Sequence, residues 1–235
     1  MPKSEVYNCD CMDYMKTLPD KAFSLAIADP PYGIGISKST SLGKKSSAKT
    51  LTYYPKNNWD NNIPSKAFFT ELFRISENQI IFGANYFCHM LPPSPCWVVW
   101  DKLQPEDISF AMAELIYTSF RRSTQMVRVS RAFIGNKVSN NEYLAQKWVK
   151  IHPTQKPICL YSWILNKFAN KGDTIFDPMM GSQSSRIAAY KMGFDYVGCE
   201  LDSEYFERGG GRFEKECLGK EICENGITII QQTLF

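Results

Sequence analysis

The tetrapeptide Asp29-Pro30-Pro31-Tyr32 closes an apolar run, Phe23-Ser24-Leu25-Ala26-Ile27-Ala28, that reads as a buried strand. Two prolines fix φ and remove two backbone donors, so the chain leaves the strand as a stiff, extended turn whose carbonyls are free to accept hydrogen bonds. A carboxylate and a flat aromatic ring stand beside those carbonyls. The set suits a planar ligand bearing an amino group. Tyr32 would stack on its face, while Asp29 and the Pro30 carbonyl accept from its two N–H bonds.

Three further constellations carry chemistry. In Ile175-Phe176-Asp177-Pro178-Met179-Met180-Gly181-Ser182-Gln183-Ser184, a strand ends in a carboxylate and a short glycine-bearing turn leads into a helix. Such a turn lets backbone approach a ligand closely and aims helix N–H groups at it. About 20 residues further on, Gly198-Cys199-Glu200-Leu201-Asp202 closes the next strand. Glu200 is placed to accept from both hydroxyls of a ribose, and Asp202 to cap the following helix. The segment His152-Pro153-Thr154-Gln155-Lys156-Pro157 is a stiff entry to a helix whose N-terminus favours an anion.

Together these motifs resemble the amino-group DNA methyltransferases. Asp-Pro-Pro-Tyr after a strand is that family's catalytic motif, so the catalytic set is Asp29, Pro30, Pro31 and Tyr32. The Asp177–Gly181 turn is similar to the family's S-adenosylmethionine (AdoMet) motif, with Met179 for its aromatic residue and Gln183 for its second glycine. Asn8-Cys9-Asp10-Cys11 resembles a Gly-Asp-Cys element whose Asp accepts from the cofactor's adenine, and the His152–Pro157 hexapeptide matches the segment that holds its carboxylate. The resemblance therefore implies a cofactor set of Asp10, Cys11, Thr154, Gln155, Lys156, Phe176, Asp177, Gly181, Ser182 and Glu200, with Asp177 holding the cationic amino end, and no metal.

The catalytic motif precedes the AdoMet motif, the order of the family's β group. The implied fold is α/β: a Rossmann-like AdoMet-dependent methyltransferase sheet, circularly permuted, with one antiparallel strand. The implied reaction is methyl transfer to adenine N6 in double-stranded DNA, with the base flipped out of the duplex. N4-cytosine methylation uses the same geometry, but the family then usually carries Ser where Asp29 stands. A DNA-binding relative without catalysis is the reading from another class. A homodimer and a cognate restriction endonuclease are further partners the resemblance allows.

These residues need a sheet to position them. Short apolar runs at 79–82, 96–100, 113–117, 173–176 and 195–199 read as further strands. Helices are expected at 157–170 and at 184–192, the latter capped by Ser184 and stopped by Gly193. Residues 203–218 have a helical pattern that Gly209-Gly210-Gly211 interrupts. One domain over 1–235 is expected, with a mobile basic loop at 33–62 and a target-recognition insertion at 103–150.

Charge is uneven. The net +3 divides into +5 over residues 33–58, +6 over 121–150 and −8 elsewhere, which suggests a polyanion meeting only part of the surface. Lys44, Lys45, Arg121, Arg122 and Arg131 are the candidate DNA contacts. The eight cysteines form no CxxC pair and read as reduced, small core residues. No run is long enough to cross a bilayer and the first residues are polar, so a cytoplasmic protein is expected.

Overall fold

The computed structural model describes residues 1–35, 60–106, 111–130, 151–152, 154–222 and 228–230. Lys44, Lys45 and Arg131, and most of the loop expected at 33–62, lie outside them. The elements in chain order are β1 (Ser4–Asn8), α1 (Cys11–Lys16), β2 (Phe23–Ala28), α2 (Lys66–Ile75), β3 (Ser76–Ile81), β4 (Trp97–Asp101), β5 (Ala113–Thr118), β6 (Gln125–Arg128), α3 (Ile158–Phe168), β7 (Thr174–Asp177), α4 (Ser184–Lys191), β8 (Asp195–Glu200), α5 (Ser203–Leu218), β9 (Lys220–Ile222) and β10 (Thr228–Ile230). Two single 3₁₀ turns, Ala84–Tyr86 and Cys88–Met90, follow β3.

Eight strands form one sheet in the order β1-β8-β7-β2-β3-β5-β4-β6. Only β5 runs antiparallel to its neighbours in it. β7 and β2 lie side by side, yet β7 leads outward through α4 to β8 while β2 leads the other way to β3. Between them is a topological switch point, the place where an open α/β sheet leaves a crevice at its carboxyl edge. The Asp29–Tyr32 tetrapeptide leaves β2, and the glycine-bearing turn leaves β7, at that edge.

Alternation along β2 serves both faces. Leu25 and Ile27 pack with α3 and α4, through Leu160, Ile164 and Ala188, while Ala26 and Ala28 pack with Phe68, Phe69 and Leu72 of α2. Small residues on the second face let α2 lie close. β1 is a polar edge strand with no apolar run to announce it, and it is held by β8 in parallel register from Ser4↔Tyr196 to Asn8↔Glu200. Within the interval 103–150, β5 and β6 belong to the main sheet, and 107–110 and 131–150 lie outside the described residues.

Two helix details differ from the expectation. Ser184 is the first residue of α4 rather than its cap; the N-cap is Gln183, in the left-handed region at φ 57°. α5 runs unbroken through Gly209-Gly210-Gly211. Asp202 does cap α5, accepting from the Tyr205 N–H at 3.1 Å, and Gly193, at φ 82°, follows α4.

Candidate active site

A cavity of about 810 Å³ opens over the carboxyl edge of β2, β7 and β8. Asp29 to Tyr32 form part of its wall, and Asp10, Cys11, Thr154, Gln155, Gly181, Ser182 and Glu200 form another part. The structure thus gathers residues spread over 190 positions of the chain around one crevice.

The tetrapeptide's turn is fixed by Asp60, buried at the edge of the cavity. Its Oδ1 accepts from the N–H groups of Tyr32 (2.8 Å) and Gly33 (2.9 Å). The Tyr32 ring stacks on Tyr86 with centroids 5.1 Å apart. Gly83, at φ 61°, makes room for it: a Cβ there would lie 2.2 Å from Tyr32 Cε1, so a side chain is excluded by contact as well as by backbone.

Around Asp29 lies a buried ionic network. The Lys156 ammonium pairs with Asp29 Oδ1 and stands 3.4 Å from Glu114 Oε1, while Lys102 bridges Glu114 Oε2 at 3.0 Å. The Tyr32 hydroxyl lies 2.8 Å from Asp29 Oδ1 and 2.7 Å from Glu114 Oε1, and accepts from Lys156 at 3.1 Å. Two carboxylates and two ammonium groups balance to zero, which is what makes such burial tolerable. Burial raises the Asp29 carboxyl and the nearby Glu114 charge adds to this, outweighing Lys156. Burial also acts to raise Glu114, but Lys156 and Lys102 overcome it and hold Glu114 below the usual carboxylate range. Lys156 is raised, its own burial being outweighed by Asp29 and Glu114.

Lys156, expected beside a cofactor carboxylate, lines the cavity, and its ammonium is paired with Asp29. Thr154 and Gln155 do face the cavity. Thr154 Oγ1 lies 3.0 Å from His152 Nδ1, and Gln155 Oε1 accepts from the Ile151 N–H at 2.9 Å. Glu200 braces the glycine-bearing turn, accepting from the N–H groups of Gly181 (2.7 Å) and Asp202 (2.9 Å). Asp10 caps α1 through the Met12 N–H at 2.7 Å. The Glu200 and Asp10 carboxylate oxygens can each accept a second hydrogen bond from a ligand in the cavity.

Phe176 and Asp177 do not line the cavity. Phe176 is fully buried and stacks on Phe23 at 4.6 Å. Asp177 lies beneath the turn, accepting from the Met179 N–H at 3.0 Å and the Ser185 hydroxyl at 2.5 Å. Burial pushes its carboxyl up to about 7, against those two hydrogen bonds. Its role in the structure is to brace the turn from within.

Arg121 and Arg122 sit at the far end of the sheet. Both follow β5, whose antiparallel course carries the chain from Glu114 at the cavity to Ser119, hydrogen-bonded to Gln79 in the middle of β3. Arg121 lies three residues beyond the end of β5 at Thr118, and both arginines line a separate surface groove beside Lys21 and Glu77. Arg122 is also engaged, donating to the Lys167 carbonyl at 2.6 Å and lying over the Phe120 and Phe168 rings. Neither arginine lines the cavity.

Glu114, Lys102 and Asp60 went unassigned in the sequence. An acid inside the apolar stretch Ala113–Tyr117 was the one local signal, since a charge inside an apolar strand needs a partner. Nothing local identifies Lys156, 42 positions away, as that partner.

A Rossmann-like sheet with a carboxylate, a Pro-Pro turn and an aromatic ring at its switch point is a site suited to a planar ligand bearing an amino group. The N6/N4 DNA methylase family matches residues 89–209, just over half of the chain, and the chain belongs to that family. It is similar to the type II methyltransferase M.HpaI of Haemophilus parainfluenzae, with 22% identity over 87% of this chain and 72% of the relative. Among solved structures, the M1.HpyAVI–SAM complex shares the fold with a TM-score of 0.55, 19% identity, and 88% and 98% of the two chains covered. The cytosine-N4-specific PvuII DNA methyltransferase does so at 0.58, with 13% identity and coverage of 90% and 87%.

Proposed function

We propose that this DNA methyltransferase moves a methyl group from S-adenosylmethionine to adenine N6 in double-stranded DNA, acting on a base flipped into the cavity. The observation that carries this reading is Asp29 at the carboxyl end of β2, beside the Tyr32 ring and facing the crevice. A carboxylate in this position is an acceptor matched to an exocyclic amino group.

The residues present fit the cofactor. The cavity volume suits a ligand of that size. Glu200 offers acceptor lone pairs for ribose hydroxyls, Asp10 offers them for the adenine amine, and Gly181 and Ser182 leave the turn open toward the ligand. When bound, S-adenosylmethionine supplies an electrophilic sulfonium methyl whose carbon–sulfur bond breaks as the bond to nitrogen forms, with the electron pair returning to sulfur. Calorimetry should show one cofactor bound per chain, and much weaker binding to Glu200→Ala.

Within the cavity, Tyr32 presents an aromatic wall for the flipped base. Asp29 and the Pro30 carbonyl accept from the amino N–H groups, which frees the nitrogen lone pair from conjugation with the ring. Positive charge grows on nitrogen as the methyl arrives, so these acceptors stabilise the transition state more than the ground state. The surplus proton leaves the nitrogen for Asp29 and then solvent. The test is nucleoside analysis of duplex DNA after incubation with the protein and labelled cofactor. N6-methyladenine supports the reading, and N4-methylcytosine alone overturns it.

A further inference from the structure

We propose that Glu114 is a positioning residue for the transfer step, holding the Lys156 ammonium and the Tyr32 hydroxyl against the Asp29 carboxylate from the neighbouring half of the sheet. The inference rests on the catalytic role of Asp29 proposed above. Glu114 is buried in β5, and its two oxygens work in different directions. Oε2 takes Lys102, and Oε1 meets Lys156 and the Tyr32 hydroxyl. Through those two groups the orientation of Asp29 depends on a strand other than the one that carries it.

Two physical consequences follow. Lys156 has three donors, and with Glu114 present they are shared between two carboxylates and a phenol, so Asp29 is fixed without being fully neutralised. The Glu114 charge also opposes ionisation of Asp29 and keeps it a better proton acceptor than Lys156 alone would allow. The other ionisable groups bearing on Asp29 are Tyr32, Tyr161 from α3 and Asp177 from β7, each with its pKa raised by burial. Of the charged side chains bearing on it, Lys156 lowers the Asp29 carboxyl and Glu114 raises it.

The experiment is the pH profile of single-turnover methyl transfer for the parent, for Glu114→Gln, and for Glu114→Gln combined with Lys102→Met. The double variant removes one charge of each sign, so no lysine is left buried without its partner. Both variants should transfer methyl more slowly, on the order of tenfold to a hundredfold, because a positioned group has lost its support. The acid limb should move to lower pH by about one unit, since a like charge beside Asp29 is gone. Cofactor affinity should hold. A slower rate with an unmoved acid limb in the double variant would show a merely structural role and overturn the proposal, as would a parent-like rate. A parent that methylates cytosine instead overturns the adenine reading, and the Glu114 comparison still decides this one. A parent that transfers no methyl group to duplex DNA overturns both.

Discussion

The side chain of Gln183 occupies the space that Gly209 leaves empty. A Cβ at Gly209 would lie 2.7 Å from Gln183 Cγ and Nε2, closer than real side chains approach. Gln183 donates to the Phe206 carbonyl at 3.1 Å and accepts from Arg186 at 2.9 Å, tying the cofactor-facing turn to α5. Two features that look anomalous separately, a glutamine in the left-handed region at the start of α4 and a glycine inside α5, form one contact.

That contact predicts strong coupling. Gly209→Ala alone should destabilise the fold by about 1–3 kcal/mol through overpacking. In a Gln183→Gly background the same methyl enters vacated space, and glycine also suits the backbone at φ 57°. A double-mutant cycle by chemical denaturation should therefore show a coupling of about 1 kcal/mol or more. Additive effects would mean that the contact is absent in solution. Gly210 and Gly211 have open space around them, and nothing in the structure explains why they are glycine.

How much of this was legible in sequence depends on range. Phe23–Ala28 and Ile175–Asp177 announced themselves as strands because burial on both faces demands apolar runs, and the chemistry sits at their ends by the logic of parallel sheets. β1 did not, because Glu5 and Tyr7 on an edge strand carry no such run. Arg121 and Arg122 were grouped with DNA contacts by charge, and charge carries no information about which end of a strand a residue reaches. Lys156 and Glu114 meet only because α3 and β5 converge on one cavity, a fact of tertiary structure that neither segment encodes locally.

Asp177 predicts a pH dependence of stability. Its carboxyl is raised from an ordinary 3.8 to about 7, so the folded state binds the extra proton. The stability this provides is complete below about pH 4, declines as pH rises and is gone above about pH 7, amounting to no more than about 4 kcal/mol. Asp177→Asn keeps an acceptor for the Met179 N–H and a donor for Ser185, yet cannot ionise. Relative to the parent it should gain stability steadily between about pH 4 and pH 7, and level off above that, in thermal or denaturant melts. A constant difference across that range would place the carboxylate in a more polar setting than the structure does.

The distal arginines predict a null effect on DNA. Arg121→Ala and Arg122→Ala should leave the slope of log affinity against log salt unchanged, because neither side chain adjoins the cavity. Arg122→Ala should instead cost stability, about 1–2 kcal/mol, by removing the donor to Lys167 and the cation over Phe120 and Phe168. A slope reduced by about one unit in either variant would show that DNA reaches this end of the sheet.

Asp29 and Tyr32 separate chemistry from binding. Asp29→Ala removes the acceptor for the amino group and also leaves Lys156 without its nearest partner, so the single-turnover rate should fall on the order of a hundredfold or more, about 3 kcal/mol. DNA affinity should change far less, since phosphate contacts dominate it. Tyr32→Ala should weaken capture of the flipped base. From its ring alone, Tyr32→Phe would be nearly silent, but the hydroxyl lies within hydrogen-bond distance of both Asp29 and Glu114. The structure therefore predicts an intermediate loss for Tyr32→Phe, expressed in the rate of transfer rather than in base capture. Rapid-quench transfer of labelled methyl, paired with fluorescence from 2-aminopurine at the target position, measures the two effects separately. Parent-like transfer by Asp29→Ala would refute the catalytic assignment. A silent Tyr32→Phe would mean that the hydroxyl leaves its carboxylate partners once the base is bound.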